Sequence, residues 1–385
     1  MGMKTAIKST VGVLATESLA ACLQKAEKYE KPVANNTDPE DLHQMRVQLR
    51  RLRTAMQVFA PSLVLPKGAR EAQVAQVARK LGKQRDLDVI GITLQTQFAP
   101  DLPDGERAML DKVRRRLAKR QQKAHRRVKK ELQSKRYKTL KSALYKWTAA
   151  PDCKATARLS IDAVLPDLML PLVSQLWLHP GWLLGTKVTR GTFKPDTRLS
   201  VESVDALMSD RSSTLHSLRK QVKRVRYQLK FVSEHYGDRL TADLERFADL
   251  QDVLGALQDS LVLEDFLAEW RSDWAAQLPT LKSLLLDSRH RAWQQWQAHQ
   301  AYYLTTKNRH ALRQILLVPG AAAPKAKAKA TSTKSTKAAT AAPAQRSAQA
   351  SKTRQSRSKN TTSRQSSPSP QSSQPDNNGA ASNDN

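Results

Sequence analysis

Apolar residues recur at helical spacing along most of the chain as far as Val318. The clearest stripe, with spacings of 3, 4, 3, 4 and 3 residues, consists of Leu42, Met45, Leu49, Leu52, Met56 and Phe59. This spacing places the side chains on one side of an α-helix, where they can pack against a neighbour. Leu, Ala, Gln, Lys and Arg dominate such stretches, and glycine is sparse inside them, which also favours helices. The pattern predicts an all-α fold.

Several ends of the predicted helices carry a recognisable signal. Asp38 is the expected N-cap of one helix, because Pro39 after it suits the first helical position. Gly237 is the expected C-cap of a later helix, and the glycines and prolines between 180 and 195 predict a loop. The predicted helices have the approximate bounds 11–28, 38–61, 68–98, 106–135, 135–147, 161–178, 201–236, 241–269 and 281–317.

The most apolar run of the chain extends from Ile161 to Leu178. Asp162, Asp167 and two prolines interrupt it, so it is too broken for a bilayer span and is predicted to be a buried helix. No membrane association is expected from the sequence.

A twelve-residue basic pattern occurs twice, 173 residues apart, first at Leu42–Arg53 and again at Leu215–Arg226. A second motif keeps the same offset, since Leu81-Gly82 with Asp86 recurs as Leu254-Gly255 with Asp259. Two motifs that share one offset predict a duplicated unit rather than a coincidence. The predicted halves cover about 11–150 and 159–317, within one domain that spans residues 1–317.

A stripe of cations lies one residue after the apolar stripe in each copy. Its members are His43, Arg46, Arg50 and Arg53 in the first copy, and His216, Arg219, Lys223, Arg226 and Lys230 in the second. Adjacent helical positions are about 100° apart, so this stripe flanks the core, where a groove between packed helices would open. Crowded cations in such a groove repel each other and lose hydration, and a bound anion would stabilise them.

An ordinary solvated helix face is the alternative interpretation of a basic stripe. Two features favour a polyanion ligand instead. Few acidic residues stand one turn away to form the ion pairs of an exposed helix, and the arrangement recurs in the second half. The helix at 106–135 adds a cation at nearly every turn, which suits a linear anion. Its members are Arg116, Lys119, Lys123, Arg127 and Lys130.

The formal charge of +30 also points to an anionic partner. Residues 318–385 hold 11 basic and 2 acidic residues, so most of the excess charge lies in the body. This tail has no large apolar residue after Val318 and is predicted to be disordered. The two cysteines, Cys22 and Cys153, exclude a disulfide framework and a cysteine-based zinc site, and a reducing cytoplasm is the expected location.

These residues resemble the CHAD family, the conserved-histidine α-helical domains. The matching pattern is His43-x-x-Arg46-x3-Arg50-Arg51-x-Arg53, followed by Leu81-Gly82-x3-Asp86. The second half matches through His216-x-x-Arg219-x3-Lys223-Arg224-x-Arg226-Tyr227 and Leu254-Gly255-x3-Asp259. The resemblance implies two similar helical bundles related by pseudo-twofold symmetry, a basic groove or pore between them, binding of inorganic polyphosphate and association with polyphosphate granules. Arg51 and Arg224 join the anion-binding candidates through this resemblance.

The leading hypothesis is therefore non-enzymatic binding of polyphosphate, with no cofactor and no metal. The alternative is a protein that binds nucleic acid or tethers granules to DNA through its basic tail, notably Pro324–Ala330. An enzyme is not expected, because no cluster of carboxylates or nucleophile–base pair is visible. Asp86 and Asp259 each stand without a paired carboxylate nearby in their own motif, and a structural role in orienting Arg or Lys is favoured for them over a catalytic or metal-binding one. His43 and His216 are candidates either for phosphate contact or for a structural role near a helix end.

Overall fold

The computed structural model describes residues 10–36 and 38–320. In the first half of the chain the α-helices are α1 (Val11–Glu27), α2 (Glu30–Asn35), α3 (Pro39–Val58), α4 (Glu71–Thr93), α5 (Asp104–Leu132) and α6 (Lys135–Ala149). In the second half they are α7 (Ile161–Trp177), α8 (Val201–Phe231), α9 (Thr241–Trp270), α10 (Trp274–Gln277), α11 (Pro279–Leu304) and α12 (Thr306–Leu317). A π-helical turn, Leu94–Phe98, follows α4 directly. Strands β1 (Thr186–Thr189) and β2 (Thr192–Pro195) form an antiparallel hairpin. The described part of the chain is therefore all-α apart from this hairpin.

Local sequence explains where several helices begin. At α3 the side chain of Asp38 accepts a hydrogen bond from the backbone N–H of Glu40 at 2.7 Å, and Pro39 stands at the start of the helix. This confirms the predicted N-cap. Ser134 caps α6 and Ser200 caps α8 in the same way, each by accepting from a backbone N–H three residues later at 3.2 Å. Such caps satisfy amide groups that have no partner within the helix.

The apolar stripes of α3 and α8 are buried as the periodicity predicts. Every residue of the α3 stripe, from Leu42 to Phe59, is at most 2% exposed. The α8 stripe, from Leu215 to Val232, is at most 4% exposed. Each fully buried Leu, Val or Met side chain contributes about 1.5–3 kcal/mol relative to an exposed one. Because these apolar stripes face the core, the basic stripes that flank them lie at the edge of the buried surface of each helix.

The helices that carry the repeated motif meet at the centre of the domain. In the first half α3 packs on α1 and α4, and in the second half α8 packs on α7 and α9. The helices α3 and α8 also contact each other, and one apolar core extends through both halves. A second core lies where α5 and the π-helical turn meet α9 and α11, and it includes Leu117 and Phe266. Both cores join the first half of the chain to the second.

Three sequence predictions differ from the structure. The helix predicted to reach residue 236 ends at Phe231, and Gly237, at φ +56°, follows a short 3-10 turn instead of capping α8. The helix predicted at 281–317 breaks at Thr305 into α11 and α12. Free carbonyl groups at this break accept hydrogen bonds from side chains of α12, including a 2.9 Å bond from Asn308 Nδ2 to Tyr302 O. The predicted loop at 180–195 contains the β1–β2 hairpin, whose turn residues Arg190 and Gly191 both have positive φ.

The run predicted to be a buried helix is α7, and its buried side includes Ile161, Leu165, Met169 and Val173. By length and composition alone, the segment Ile161–Leu183 is apolar enough to cross a membrane, with a mean hydropathy of 1.3. One third of this segment, 33%, is buried inside the fold. The predicted disorder of the tail concerns residues 321–385, which lie outside the described residues.

Candidate anion-binding site

A cavity of about 710 Å³ opens between α3, α4 and α8, and we name it the central cavity. Its basic lining residues are Arg46, Arg50, Arg53, Arg79, Lys83, Lys220, Lys223 and Arg224. Asp86 is the acidic residue among the described residues that line it. Cations from both predicted halves of the chain therefore converge on one concave surface.

Arg46 reaches the central cavity by lying across α4. Its Nη1 donates a hydrogen bond to the carbonyl oxygen of Ala78 at 3.1 Å. Gly82 leaves room for this approach, because a Cβ atom at that position would stand 2.8 Å from Arg46 Nη1 and the guanidinium group would have to shift. Burial lowers the pKa of Arg46, the charge of Asp86 opposes the shift, and the nearby Arg50 adds to it. The Leu-Gly motif of α4 thus positions an arginine of α3.

Tyr227 of α8 links Arg50 of α3 to the second half of the chain. Arg50 Nη1 donates a hydrogen bond to the Tyr227 hydroxyl, and its guanidinium carbon lies 4.8 Å from the ring centroid. The guanidinium carbon of Arg226 lies 5.6 Å from the same centroid. Cations near an aromatic ring are held by its electron-rich face. The ring of Tyr227 therefore contacts one arginine from each half of the chain.

Lys223 lies among these arginines at the centre of the site. Burial lowers its pKa to about 7, and the charges of Arg50, Arg219 and Arg46 contribute to the shift. Asp259 opposes it. An ammonium group is thus held where its own charge is disfavoured, which is the electrostatic condition that a bound anion would relieve.

Two carboxylates accompany the cations, one from each copy of the Leu-Gly motif. Asp259 lies 3.6 Å from Arg219 Nη2, measured to its Oδ1 atom, and its side chain is 46% exposed. Protein atoms crowd the remaining sides, and this desolvation raises the pKa of both Asp86 and Asp259. Arg46 and Arg219 oppose the shift at Asp86, as Arg219 does at Asp259. Their position beside these arginines fits the structural, cation-orienting role that the sequence favoured.

The two motif histidines flank the cations without lining the central cavity. His216 Nδ1 lies 3.0 Å from Gln258 Oε1, and both histidines are half-buried. Burial lowers both pKa values, with Arg85 and Lys220 as the strongest adjacent cations at His43 and His216 respectively. Both shifts favour the neutral form of the imidazole.

The structure brings only part of the predicted site residues into concave surfaces. Arg53 lines the central cavity and also pairs with Glu71, at 2.7 Å between Nε and Oε1. Lys123, Arg127 and Lys130 of α5 line two further recesses beside α4. The predicted residues that line none of these three cavities are His43, Arg51, Arg116, Lys119, His216, Arg219, Arg226 and Lys230.

Arg51 and Arg116 show why some predicted residues lie elsewhere. Arg51 is exposed and acts electrostatically on Cys22 of α1, because one residue beyond Arg50 the helix faces a different neighbour. Arg116 donates to the backbone carbonyl of Glu269 at 3.2 Å, so it joins α5 to the end of α9.

Several residues of α4 and α8 that line the central cavity lie outside the predicted site. Arg79 and Lys83 line the central cavity from α4, and Lys220 and Tyr227 line it from α8. Arg79 and Lys83 are one helical turn apart, a spacing that the sequence shows and that would have identified a basic side of α4. Tyr227 belongs to the second motif copy, but its contact with Arg50 depends on how α3 and α8 pack.

Among the described residues no group of three or more His, Cys, Asp or Glu could hold a metal ion.

We expect substitution by alanine to change the free energy of unfolding differently at the two motif glycines, Gly82 and Gly255. At Gly255 an added Cβ would stand 3.5 Å from Arg219 Nη2, an ordinary contact, so Gly255→Ala should stabilise the helix by about 0.5–1 kcal/mol. Gly82→Ala should give no such gain, because Arg46 must move and lose its bond to Ala78. The free energy of unfolding in urea measures both. Equal gains in the two variants would show that Arg46 is not held against α4.

Comparison with known proteins identifies the family. The CHAD domain family model matches residues 17–268, more than half of the chain. The fold is similar to that of PptA from Streptomyces chartreusis, with a TM-score of 0.54 and 16% identity over 76% of this chain and 99% of that one. The CHAD domain from the plant Ricinus communis matches with a TM-score of 0.47 and 22% identity, over 83% and 96% of the two chains. A search of curated protein sequences found no match. The extent of the family match shows that the chain belongs to the CHAD domain family.

Proposed function

We propose that this protein binds inorganic polyphosphate in the central cavity and catalyses no reaction on it. CHAD domains are associated with polyphosphate binding. The observation that carries the proposal is the convergence of eight basic side chains and one carboxylate, among the described lining residues, on a single cavity of about 710 Å³. Arginine and lysine donors recognise phosphate oxygens through charge-assisted hydrogen bonds.

The electrostatics of the free site support an anionic ligand. Burial and neighbouring cations lower the pKa of both Arg46 and Lys223, so the charged forms of these side chains are disfavoured in the central cavity. A polyphosphate chain brings one negative charge or more per phosphate and offsets this repulsion. The desolvation that disfavours isolated cations also strengthens their attraction to a bound anion.

A binding role without catalysis fits the groups that line the cavity. Hydrolysis of a phosphoanhydride requires an activated nucleophile, commonly with metal-binding carboxylates. Asp86 and Asp259 act on each other electrostatically, but among the described residues they belong to no group of three or more that could hold a metal ion, and the histidines stand outside the lining. Release of orthophosphate from polyphosphate by the purified protein, abolished by His43→Ala, would contradict this part of the proposal.

The dependence of affinity on salt tests the proposed binding mode. Each phosphate contact on a single-stranded polyanion contributes about −0.7 to the slope of log K against log salt. Six to eight contacts in the central cavity predict a slope of roughly −4 to −6. We expect an equilibrium titration of polyphosphate with the full chain to give this slope. A slope near zero would contradict binding by the cationic cavity.

The affinity should also depend on pH through Lys223. Above pH 7 the free protein loses the Lys223 proton, and binding of an anion must restore it, so affinity should fall as the pH rises from about 7 to 8. One linked proton changes the affinity by at most about tenfold per pH unit. In Lys223→Arg the side chain stays charged over this pH range, so the affinity of the variant should not fall as the pH rises. An unchanged profile in Lys223→Arg would assign the pH dependence to other groups.

The basic tail favours a second function for a separate segment. Pro324–Ala330 alternates lysine with alanine, and such segments bind nucleic-acid phosphates without reading sequence. In this proposal the body binds polyphosphate in cytoplasmic granules while the tail attaches them to DNA. Deletion of residues 321–385 should remove DNA binding and retain polyphosphate binding. Loss of polyphosphate binding in the deleted protein would contradict the role of the central cavity.

A further inference from the structure

A second basic concavity lies beside the central cavity, between α4, α5 and the start of α6. Its volume is about 650 Å³, and we name it the lateral recess. Its basic lining residues are Arg79, Lys80, Lys83, Arg127, Lys130 and Arg136. Glu131 is the acidic residue among its described lining residues. Among the described residues, the lateral recess therefore has six basic lining residues and one acidic one, against eight and one in the central cavity.

The lateral recess continues directly from the central cavity. Arg79 and Lys83 of α4 line both concavities. They are four residues apart, so they lie in one row along the helix, separated by about 6 Å along its axis. A polyphosphate chain that leaves the central cavity at this edge would pass over these two cations. The acidic residue among the described lining residues of the lateral recess is Glu131.

The cations of the lateral recess are mostly uncompensated. Within residues 10–36 and 38–320, Lys80, Arg127 and Lys130 form no ion pair, and neither do the shared Arg79 and Lys83. Glu131, whose side chain is 10% exposed, lies 3.8 Å from Arg136 and offsets that one charge. Five exposed like charges therefore face one concave surface without an ion-pair partner, and an anion bound there would be attracted by all of them.

A third recess, between α5 and α9, has a different charge balance. Its volume is about 570 Å³, and its cations are Lys83, Arg120, Lys123 and Arg127. Asp86, Asp265 and Glu269 line it as well, and Glu269 pairs with Arg120 at 2.6 Å. Three carboxylates almost neutralise this α5–α9 recess. A polyanion is thus attracted along one exit from the central cavity and not along the other.

We propose that the lateral recess is a second phosphate subsite, which a long polyphosphate chain occupies together with the central cavity by passing over Arg79 and Lys83. This inference rests on the proposed function of the central cavity. Occupation of two linked subsites by one chain converts the second binding event into an intramolecular one and raises the overall affinity. A chain too short to reach the lateral recess gains nothing from it. The structure thus assigns a chain-length preference to the protein.

Two double variants with equal charge changes test the proposal. Lys80→Glu with Lys130→Glu alters exposed residues that line only the lateral recess. Lys112→Glu with Lys129→Glu alters exposed residues of the same α5 helix that line none of the three concavities. The affinities of the full chain and of both variants for tripolyphosphate and for long-chain polyphosphate are measured at one salt concentration, and thermal unfolding checks that each variant is folded.

We expect the wild type to bind a long polyphosphate chain on the order of a hundredfold more tightly than tripolyphosphate. This factor applies after the affinity is corrected for the number of equivalent binding positions along the long chain. The lateral-recess variant should lose most of this advantage and keep its affinity for tripolyphosphate, while the control variant keeps both. Equal losses of long-chain affinity in the two variants, or no loss in either, would overturn the inference. In both of these cases tripolyphosphate and long chains still bind, so the proposed function stands. Absence of any polyphosphate binding by the wild type would instead refute the proposed function itself.

Discussion

Polyphosphate binding should be lost when four motif cations are changed together to glutamate: Arg50, Arg53, Lys223 and Arg226. Arg50, Arg53 and Lys223 line the central cavity, and Arg226 stands beside Tyr227 next to it. A hydrogen bond to a charged group contributes about 1.5–3 kcal/mol, and each new carboxylate also repels the ligand. We therefore expect the affinity to fall by about a thousandfold or more. Equilibrium titration of labelled polyphosphate at fixed salt measures this loss.

The control for this variant carries the same change in net charge at exposed lysines outside the three cavities. Suitable positions are Lys25, Lys28, Lys154 and Lys307. This control should lose about tenfold or less, since exposed charges act on a distant ligand only through a screened field. A control that loses as much affinity as the cavity variant would mean that net charge, rather than the central cavity, binds the ligand.

The largest expected effect on stability concerns Arg289 of α11, which is 1% exposed. Its Nη2 lies 2.6 Å from Glu264 Oε2 of α9, and its Nη1 pairs with Asp205 of α8. Its Nε donates to the hydroxyl of Ser260 at 3.1 Å. Lys282 also pairs with Glu264, at 2.8 Å. This network joins three helices of the second half through one buried guanidinium group.

Arg289→Met should lower the free energy of unfolding by about 3–5 kcal/mol, because it leaves the carboxylates of Asp205 and Glu264 without their buried partner. Unfolding in urea at pH 7 measures the change. The matched control is Arg291→Met on the same helix, where the side chain is exposed and the change should be within about 0.5 kcal/mol. A loss below about 1 kcal/mol for Arg289→Met would mean that the network is not structurally important.

Local patterns predicted the helices well because helix capping and apolar periodicity act over a few residues. The Asp38-Pro39 start and the buried stripes of α3 and α8 are examples. The break at Thr305 differs from the prediction because the apolar periodicity does not reveal the side-chain bonds that replace helical ones there, such as that from Asn308 to Tyr302 O. Tyr236, which the prediction placed at the end of α8, instead donates its hydroxyl to Leu316 O, a contact that depends on the tertiary fold. The β1–β2 hairpin was missed because its two four-residue strands show no clear alternation of apolar and polar residues.

The candidate site was predictable where it follows a helix stripe and not where it depends on packing. The motif stripe identified Arg46, Arg50 and Lys223, which line the central cavity. The contribution of Arg79 and Lys83 depends on how α4 lies against α3 and α5, which no local pattern specifies. The duplication and the pseudo-twofold relation of the two halves stay predictions from the sequence.

The most direct test of the central claim is a competition titration on the full chain. Labelled polyphosphate is bound at fixed salt, and duplex DNA is added up to an equal concentration of phosphate. Because the central cavity offers about 710 Å³ between three helices, it accommodates a single extended chain rather than a double helix. We predict that the DNA leaves polyphosphate bound, even if it binds the tail. Displacement of polyphosphate by DNA at equal phosphate concentration would contradict the account.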